Sequence, residues 1–257
     1  MATLSAIVIT MNEEKRIGAC LESLAGLADE IVVLDSGSQD KTLDIARKYT
    51  DKVFISDDWP GFGKQKQSAQ AYTSGDWIIS IDADEVVSPE LSRSIKEAVR
   101  KDDRSLVYAL ARTTWFFGSF IRHSGWYPDY VIRLFPKDRT GFDDALVHEK
   151  VLVPEGIQQK TLTGDLYHFT FTSMEQWLVK TAYFARLWAD ERAAKGKKSS
   201  LIQAVSHALA YFVKTYFFKR GFLDGRPGFL LAVLGAYSRL IKYADLWSRS
   251  LDQSDRS

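Results

Sequence analysis

The chain of 257 residues contains one cysteine, Cys20. That excludes an internal disulfide and any metal–thiolate cluster, and it suits the cytosol. Cys20 falls on an apolar helical stripe with Ile17, Leu21 and Leu24, where it reads as packing rather than chemistry. No uncharged run reaches the roughly 18–20 apolar residues needed to span a bilayer. No signal peptide is visible, because the chain goes directly into a strand. Gly61-Phe62-Gly63 lacks the third glycine of a dinucleotide fingerprint, and no G-x-x-x-x-G-K-[ST] occurs, so neither Rossmann redox chemistry nor a P-loop is supported. There is no internal repeat or low-complexity tract. Apolar residues (46%) and charged residues (26%) sit near globular averages, enough for one large core or two modest ones.

What is present centres on Gly75–Glu85, GDWIISIDADE. An apolar run from Trp77 to Ile81 ends in two acids, Asp82 and Asp84, which reads as a buried strand whose carboxyl end leaves the core. At i and i+2 on an extended chain both carboxylates can project to one side. Two neighbouring anions repel without a cation between them, so the pair suggests a hard divalent ion, Mg²⁺ or Mn²⁺. An isolated D-x-D is more often a solvated acidic turn, so the pair depends on its context.

That context is a repeating strand–helix order. Leu4–Thr10 is an uncharged β-branched run, followed by Met11-Asn12-Glu13-Glu14, where Asn12 can cap the next helix and the glutamates suit its dipole. Glu30–Asp35 is a second strand, and Ser36–Thr42 is a turn leading into a helix through Tyr49. Lys52–Ser56 is a third strand, and Ser88-Pro89-Glu90 starts another helix. A β-α-β-α-β order implies a parallel α/β sheet whose ligands bind at the strands' carboxyl ends, where Asn12, Asp35 and Asp82 fall. Lys64 and Lys66 could meet phosphate there or simply open a helix in solvent. From Val107 to Val153, strand-like runs alternate with Gly and Pro. Asp129, Arg133, His148 and Glu149 stand among aromatics there, as in an acceptor pocket.

From Ser173 the pattern becomes helical. Ser173 and Gln176 form a capping-box pair, and helical stretches run to about Ala194, over Leu201–Phe218 and over Gly228–Trp247. From Arg192 to Arg249 there are eleven Lys and Arg against Asp224 and Asp245, an excess of nine in a chain of net +1. Basic and aromatic residues on helices too short to span point to an anionic membrane interface. The competing readings are a helical subdomain packed on the sheet or a second subunit, and a nucleic-acid-binding module. The aliphatic richness of the helices favours lipid over nucleic acid. The expected domains are residues 1–170 and a helical region, 171–257.

Taken in order, T-x-N-E-E, D-S-G-S-x-D-x-T, G-F-G-x-Q-K and D-A-D-E resemble a family 2 glycosyltransferase of the GT-A fold: α/β, Rossmann-like, mainly parallel, here with a C-terminal helical amphipathic extension. The later blocks GWYPD, RLF, VHE and KRGFLDGRPGF resemble the bacterial branch that adds glucose to the inner-core heptose of lipopolysaccharide. The resemblance implies an inverting, metal-dependent transfer from a UDP-sugar, on the cytoplasmic face of the inner membrane. It places Thr10, Asn12 and Glu13 along the uridine, Asp35 at the base or ribose, and Lys66 near the uracil or phosphates. Asp82 would touch ribose or metal, Asp84 would ligate Mg²⁺ or Mn²⁺, and His148 would complete the metal site. Gln67 stands where the branch usually has Asn. Asp129 is the expected base ahead of Glu149, with Arg133 and Trp126 on the acceptor or phosphate side. The alternatives are a same-fold transferase acting on a polyprenyl phosphate, a capsule precursor or a peptide, and a nucleotidyltransferase, which would release pyrophosphate instead of UDP.

Overall fold

The computed structural model describes residues 1–254 other than Asp57, His148 and Thr172. The chain forms two compact units, Met1–Thr113 with Pro128–His168, and Thr114–Tyr127 with Phe169–Ser257.

In the first unit, β1 (Leu4–Thr10), β2 (Glu30–Asp35), β3 (Val53–Ile55) and β4 (Trp77–Asp82) are parallel and lie in the order β3-β2-β1-β4. The order continues through β8 (Asp129–Pro136), β6 (Leu106–Phe116), β9 (Gln158–His168) and β5 (Glu85–Val87). Here β4–β8, β8–β6 and β9–β5 are antiparallel. The expectation of a mainly parallel sheet therefore describes only the first half. The second half pairs strands that lie far apart in the chain, β4 with β8 and β5 with β9, and these run antiparallel. The parallel strands are covered on both faces. Leu4, Ala6 and Val8 of β1 pack with Ile17 and Leu21 of α1 (Ile17–Leu24) and Ile95 of α4 (Pro89–Lys101). Ile7 and Ile9 turn to the other side, with Ala69 of α3 (Phe62–Ala71). This is why the run carries no charge and buries all seven residues instead of alternating.

Several local expectations shift. Ser88 caps α4 through Leu91 N at 3.2 Å, as its sequence implies. Asn12 does not cap α1; its φ is 56° and its Oδ1 accepts from Gln39 N at 2.8 Å. The helix expected through Tyr49 is α2, Thr42–Ala46. Glu13 and Glu14 lie in the turn before α1, not in its first turn.

The second unit holds α5 (Met174–Ala194), α6 (Leu201–Val213), a π-helical turn (Lys214–Phe218), a 3-10 turn (Gly221–Asp224) and α7 (Gly225–Ser254). Ser173 caps α5 through Gln176 N at 3.1 Å. The segment Thr114–Tyr127 belongs with these helices: Phe116 and Ile121 share an apolar core with Trp177 and Leu231. Its aromatic content gives it a place among the helical side chains, and β7 (Ser119–Phe120) pairs there with the end of β6. Among the described residues no helix is long and apolar enough to cross a membrane.

Candidate active site

The register of the parallel strands brings Thr10 opposite Asp35 and Ile9 opposite Asp82, so the acids leave the sheet at one edge. Two loops there are stitched together. Asp35 is fully buried, and its Oδ1 accepts from Gly37 N at 2.9 Å and Ser38 N at 2.7 Å. Ser38 Oγ accepts from Asn12 N at 2.8 Å, Thr42 Oγ1 from Glu13 N at 2.8 Å, and Asp40 Oδ2 from Glu14 N at 3.1 Å. The polar letters of these two motifs thus shape the loops themselves, and the Asp35 carboxylate is occupied by its own turn. Thr10 Oγ1 is buried with no partner among the described residues.

A chain of alternating charges crosses the strand ends. Lys66, only 1% exposed, reaches Glu149 Oε1 at 2.6 Å and Asp82 Oδ1 at 2.7 Å. Arg133, also buried, holds Asp82 Oδ2 and, at 3.0 Å, Glu85 Oε1. Glu85 is fully buried; its Oε2 accepts from Asp82 N at 2.9 Å, and its Oε1 lies 3.4 Å from Arg112. Arg112 faces Asp129 across β6 and β8, and donates to its Oδ2 from Nε at 2.9 Å and from its terminal nitrogen at 2.6 Å. The two candidate bases, Glu149 and Asp129, therefore sit at opposite ends of one ion network. Burial alone would raise the Asp82 carboxyl, but Arg133 and Lys66 outweigh it and hold the group well below the usual carboxylate range. Burial, with Glu85, Asp82 and Asp84 nearby, pushes the Cys20 thiol well above its ordinary value, and its Sγ lies 3.5 Å from the Asp82 carbonyl oxygen.

Asp82 thus has two cations of the chain beside it, which alters the expectation that both acids need a metal. Asp84 differs: its Oδ2 lies 3.4 Å from His168 Nε2. His168 arrives there because β5 and β9 pair with Glu85 opposite His168. The Asp84 carboxylate, with water and diphosphate oxygens, is an oxygen donor set of the kind Mg²⁺ or Mn²⁺ takes, and His168 adds one imidazole nitrogen, the softer donor of the two. No group of three or more such ligands is assembled among the described residues. His148, expected to complete the metal site, lies outside the described residues. Trp126 lies in the second unit, with its ring 5.7 Å from Phe116.

The G-F-G motif serves close approach. Phe62 N and Gly63 N donate to Leu146 and Ala145 carbonyl oxygens at 3.2 and 3.0 Å. A Cβ on Gly63 would stand 2.0 Å from the Asp143 carbonyl oxygen. Gln67 Nε2 donates to the Phe142 carbonyl oxygen at 2.8 Å and to Asp144 Oδ1 at 2.9 Å, so it fastens the loop that carries Glu149.

The family model described as Glycosyl transferase family 2 matches residues 5–151. The chain belongs to glycosyl transferase family 2. An uncharacterized glycosyltransferase of Rickettsia typhi is 30% identical over 98% of this chain and 89% of its own length. The lipopolysaccharide core biosynthesis glycosyltransferase LpsC of Rhizobium meliloti is 32% identical over 96% of this chain and 92% of its own length. Among solved structures, glucosyl-3-phosphoglycerate synthase of Mycobacterium tuberculosis in complex with Mg²⁺ and UDP is 25% identical. That match covers 44% of each chain at a TM-score of 0.37, so the chain spans less than half of that structure. The sheet with its flanking helices is GT-A-like, and the family chemistry is glycosyl transfer.

Proposed function

We propose that this family 2 enzyme transfers a hexose, glucose from UDP-glucose, with inversion onto a heptose of the lipopolysaccharide core, beside an anionic membrane surface on its cytoplasmic side. The observation that carries the reading is the pairing of Asp84 with His168 next to an Asp82 held by Lys66 and Arg133, at the carboxyl ends of the parallel strands. The acceptor class is supported by near full-length similarity to LpsC.

Asp84 and His168 would hold Mg²⁺ or Mn²⁺, which when bound supplies charge neutralisation for the departing diphosphate. Lys66 and Arg133 keep Asp82 ionised and fixed, so that it can face the ribose or the ion without rearranging. Asp129, the more open of the candidate bases at 45% exposure against 14% for Glu149, takes the acceptor hydroxyl's proton. Arg112 occupies Oδ2, which leaves Oδ1 to receive it. As the hydroxyl oxygen bonds to the anomeric carbon, the bond from that carbon to the UDP oxygen breaks. No covalent intermediate with the chain is needed.

The test is a panel of sugar nucleotides scored for UDP release on truncated core lipopolysaccharide, with and without EDTA. UDP-glucose should be preferred and EDTA should abolish release. Asp129→Asn should lower turnover by about 10²–10⁴-fold while UDP binding persists. Near-normal turnover would remove Asp129 from the role, and release of pyrophosphate would mean a nucleotidyltransferase. Transfer only to polyprenyl-phosphate, capsule or peptide acceptors would replace the acceptor named here.

A further inference from the structure

The second unit carries a surface that sugar transfer at the strand ends does not use. On α6, Ala204 is buried while Ile202, Val205 and Leu209 recur along the opposite, exposed side, with Ile202 at 82% exposure. The helix then widens into the π turn, where Thr215 stays buried and Phe217 and Phe218 are both exposed, Phe218 at 80%. Such turns are rare and concentrate at functional places.

The aromatic side chains here form one contiguous cluster. Tyr216 lies 5.6 Å from Phe229 of α7 and 6.3 Å from Phe222 of the 3-10 turn, and Phe212 lies 6.0 Å from Phe229 and 6.4 Å from Phe217. Exposed apolar side chains clustered in one place on a monomer surface mark an interaction or membrane site.

The charges within the same stretch have one sign. Lys214, Lys219, Arg220 and Arg226 are all exposed. The single acid between Arg192 and Ala244 is Asp224, and its side chain is buried. Its carboxylate accepts from Arg122 N at 2.9 Å, from His123 N at 3.0 Å and from Ser124 Oγ at 3.0 Å, so it is turned inward. Among the described residues of this stretch, no outward carboxylate accompanies the four cations. A second copy of this chain docking on the same patch would bring like charges together, which is costly.

We propose that this aromatic platform seats on an anionic phospholipid surface. Phe217, Phe218, Phe222 and Leu223 enter the interface, and the surrounding lysines and arginines meet lipid phosphates. The proposal rests on the lipid-linked acceptor read above and adds the face by which the enzyme approaches it.

The experiment is flotation of the full chain with vesicles of phosphatidylcholine alone or mixed with phosphatidylglycerol. Binding is expected only to the mixed vesicles and should weaken as salt rises. Phe218→Ser with Leu223→Ser should lower partition at least tenfold, and Lys214→Gln with Arg226→Gln by roughly fivefold per charge removed. Both pairs should keep UDP release on a soluble, deacylated core oligosaccharide and lose it on acceptor embedded in vesicles. Equal flotation with neutral vesicles, or unchanged partition of both pairs, would overturn the proposal. So would a wild-type dimer in light scattering that Phe218→Ser dissociates, or RNA binding that the same variants abolish. If neither acceptor yields UDP, the proposed transfer fails, while vesicle partition still decides the seat.

Discussion

Glu85 shows how much of this site is carried by a residue that meets no substrate in the reading above. Its two oxygens serve Asp82 N, Arg133 and Arg112, so one buried carboxylate orients both the strand-end acid and the arginine behind Asp129. Removing one partner from a buried ion network costs about 3–5 kcal/mol. Glu85→Gln keeps the shape but drops the charge that both guanidinium groups share. Turnover should fall by roughly 10²-fold with the KM for the sugar nucleotide little changed. A fall in Tm alone, with turnover intact, would make Glu85 merely structural. At this scale the sequence was legible where chemistry is local: Asp82 and Asp84 stand where an apolar run ends. It was not legible where partners are distant. Lys66 finds Glu149 across 83 positions, and its exposure could not be judged from a G-F-G-K-Q-K string. His168 carries no such local signal, because its proximity to Asp84 depends on the β5–β9 register, for which a short run such as Glu85–Val87 gives no pattern.

At the scale of elements, the amino ends of the parallel strands are tied by Glu30. It accepts from Ser5 Oγ in β1, from Lys52 ahead of β3, and from Ser74 N at 2.8 Å and Ser74 Oγ at 2.9 Å ahead of β4. Burial works against ionisation there, but Lys52, Ser5 and Ser74 bring the Glu30 carboxyl down to about 2. A carboxyl depressed on folding contributes stability above its ordinary value near 4.5, and that contribution is lost as the pH falls toward about 2. Glu30→Gln should therefore be less stable than wild type at pH 7, and the two should converge near pH 2. Urea midpoints across that range measure it, and parallel curves would show that Glu30 contributes nothing through its charge. The parallel strands and α4 were readable because hydrophobic runs and the Ser88-Pro89-Glu90 cap are local signals. The antiparallel half was not, since β6, β8 and β9 take their places by pairings that cross the chain. The break of Leu201–Phe218 into α6 and a π turn leaves no trace in hydrophobic spacing.

Over the whole molecule, charge is segregated between the units. The second carries fifteen Lys and Arg against seven Asp and Glu, an excess of eight, which leaves the first at −7 in a chain of +1. Above its pI of about 7.8 the protein should still be held by a cation-exchange resin and released by salt. Passage straight through at pH 8.5 would show that the cations are too dispersed to act together. The same segregation was visible in the amino-acid order. The membership of Thr114–Tyr127 in the helical unit was not, because it is decided by aromatic contacts with residues such as Trp177 and Leu231.

The inward Asp224 has a consequence for biosynthesis. Residues 122–124 leave the ribosome about a hundred positions before the carboxylate that receives their hydrogen bonds. At roughly 5–20 residues per second, that segment waits on the order of 5–20 s with its donors open to water. The nascent sheet can mature during this interval, whereas the hydrogen bonds of residues 122–124 can close only once Asp224 has been made, so a translational pause between the two segments lengthens their exposure.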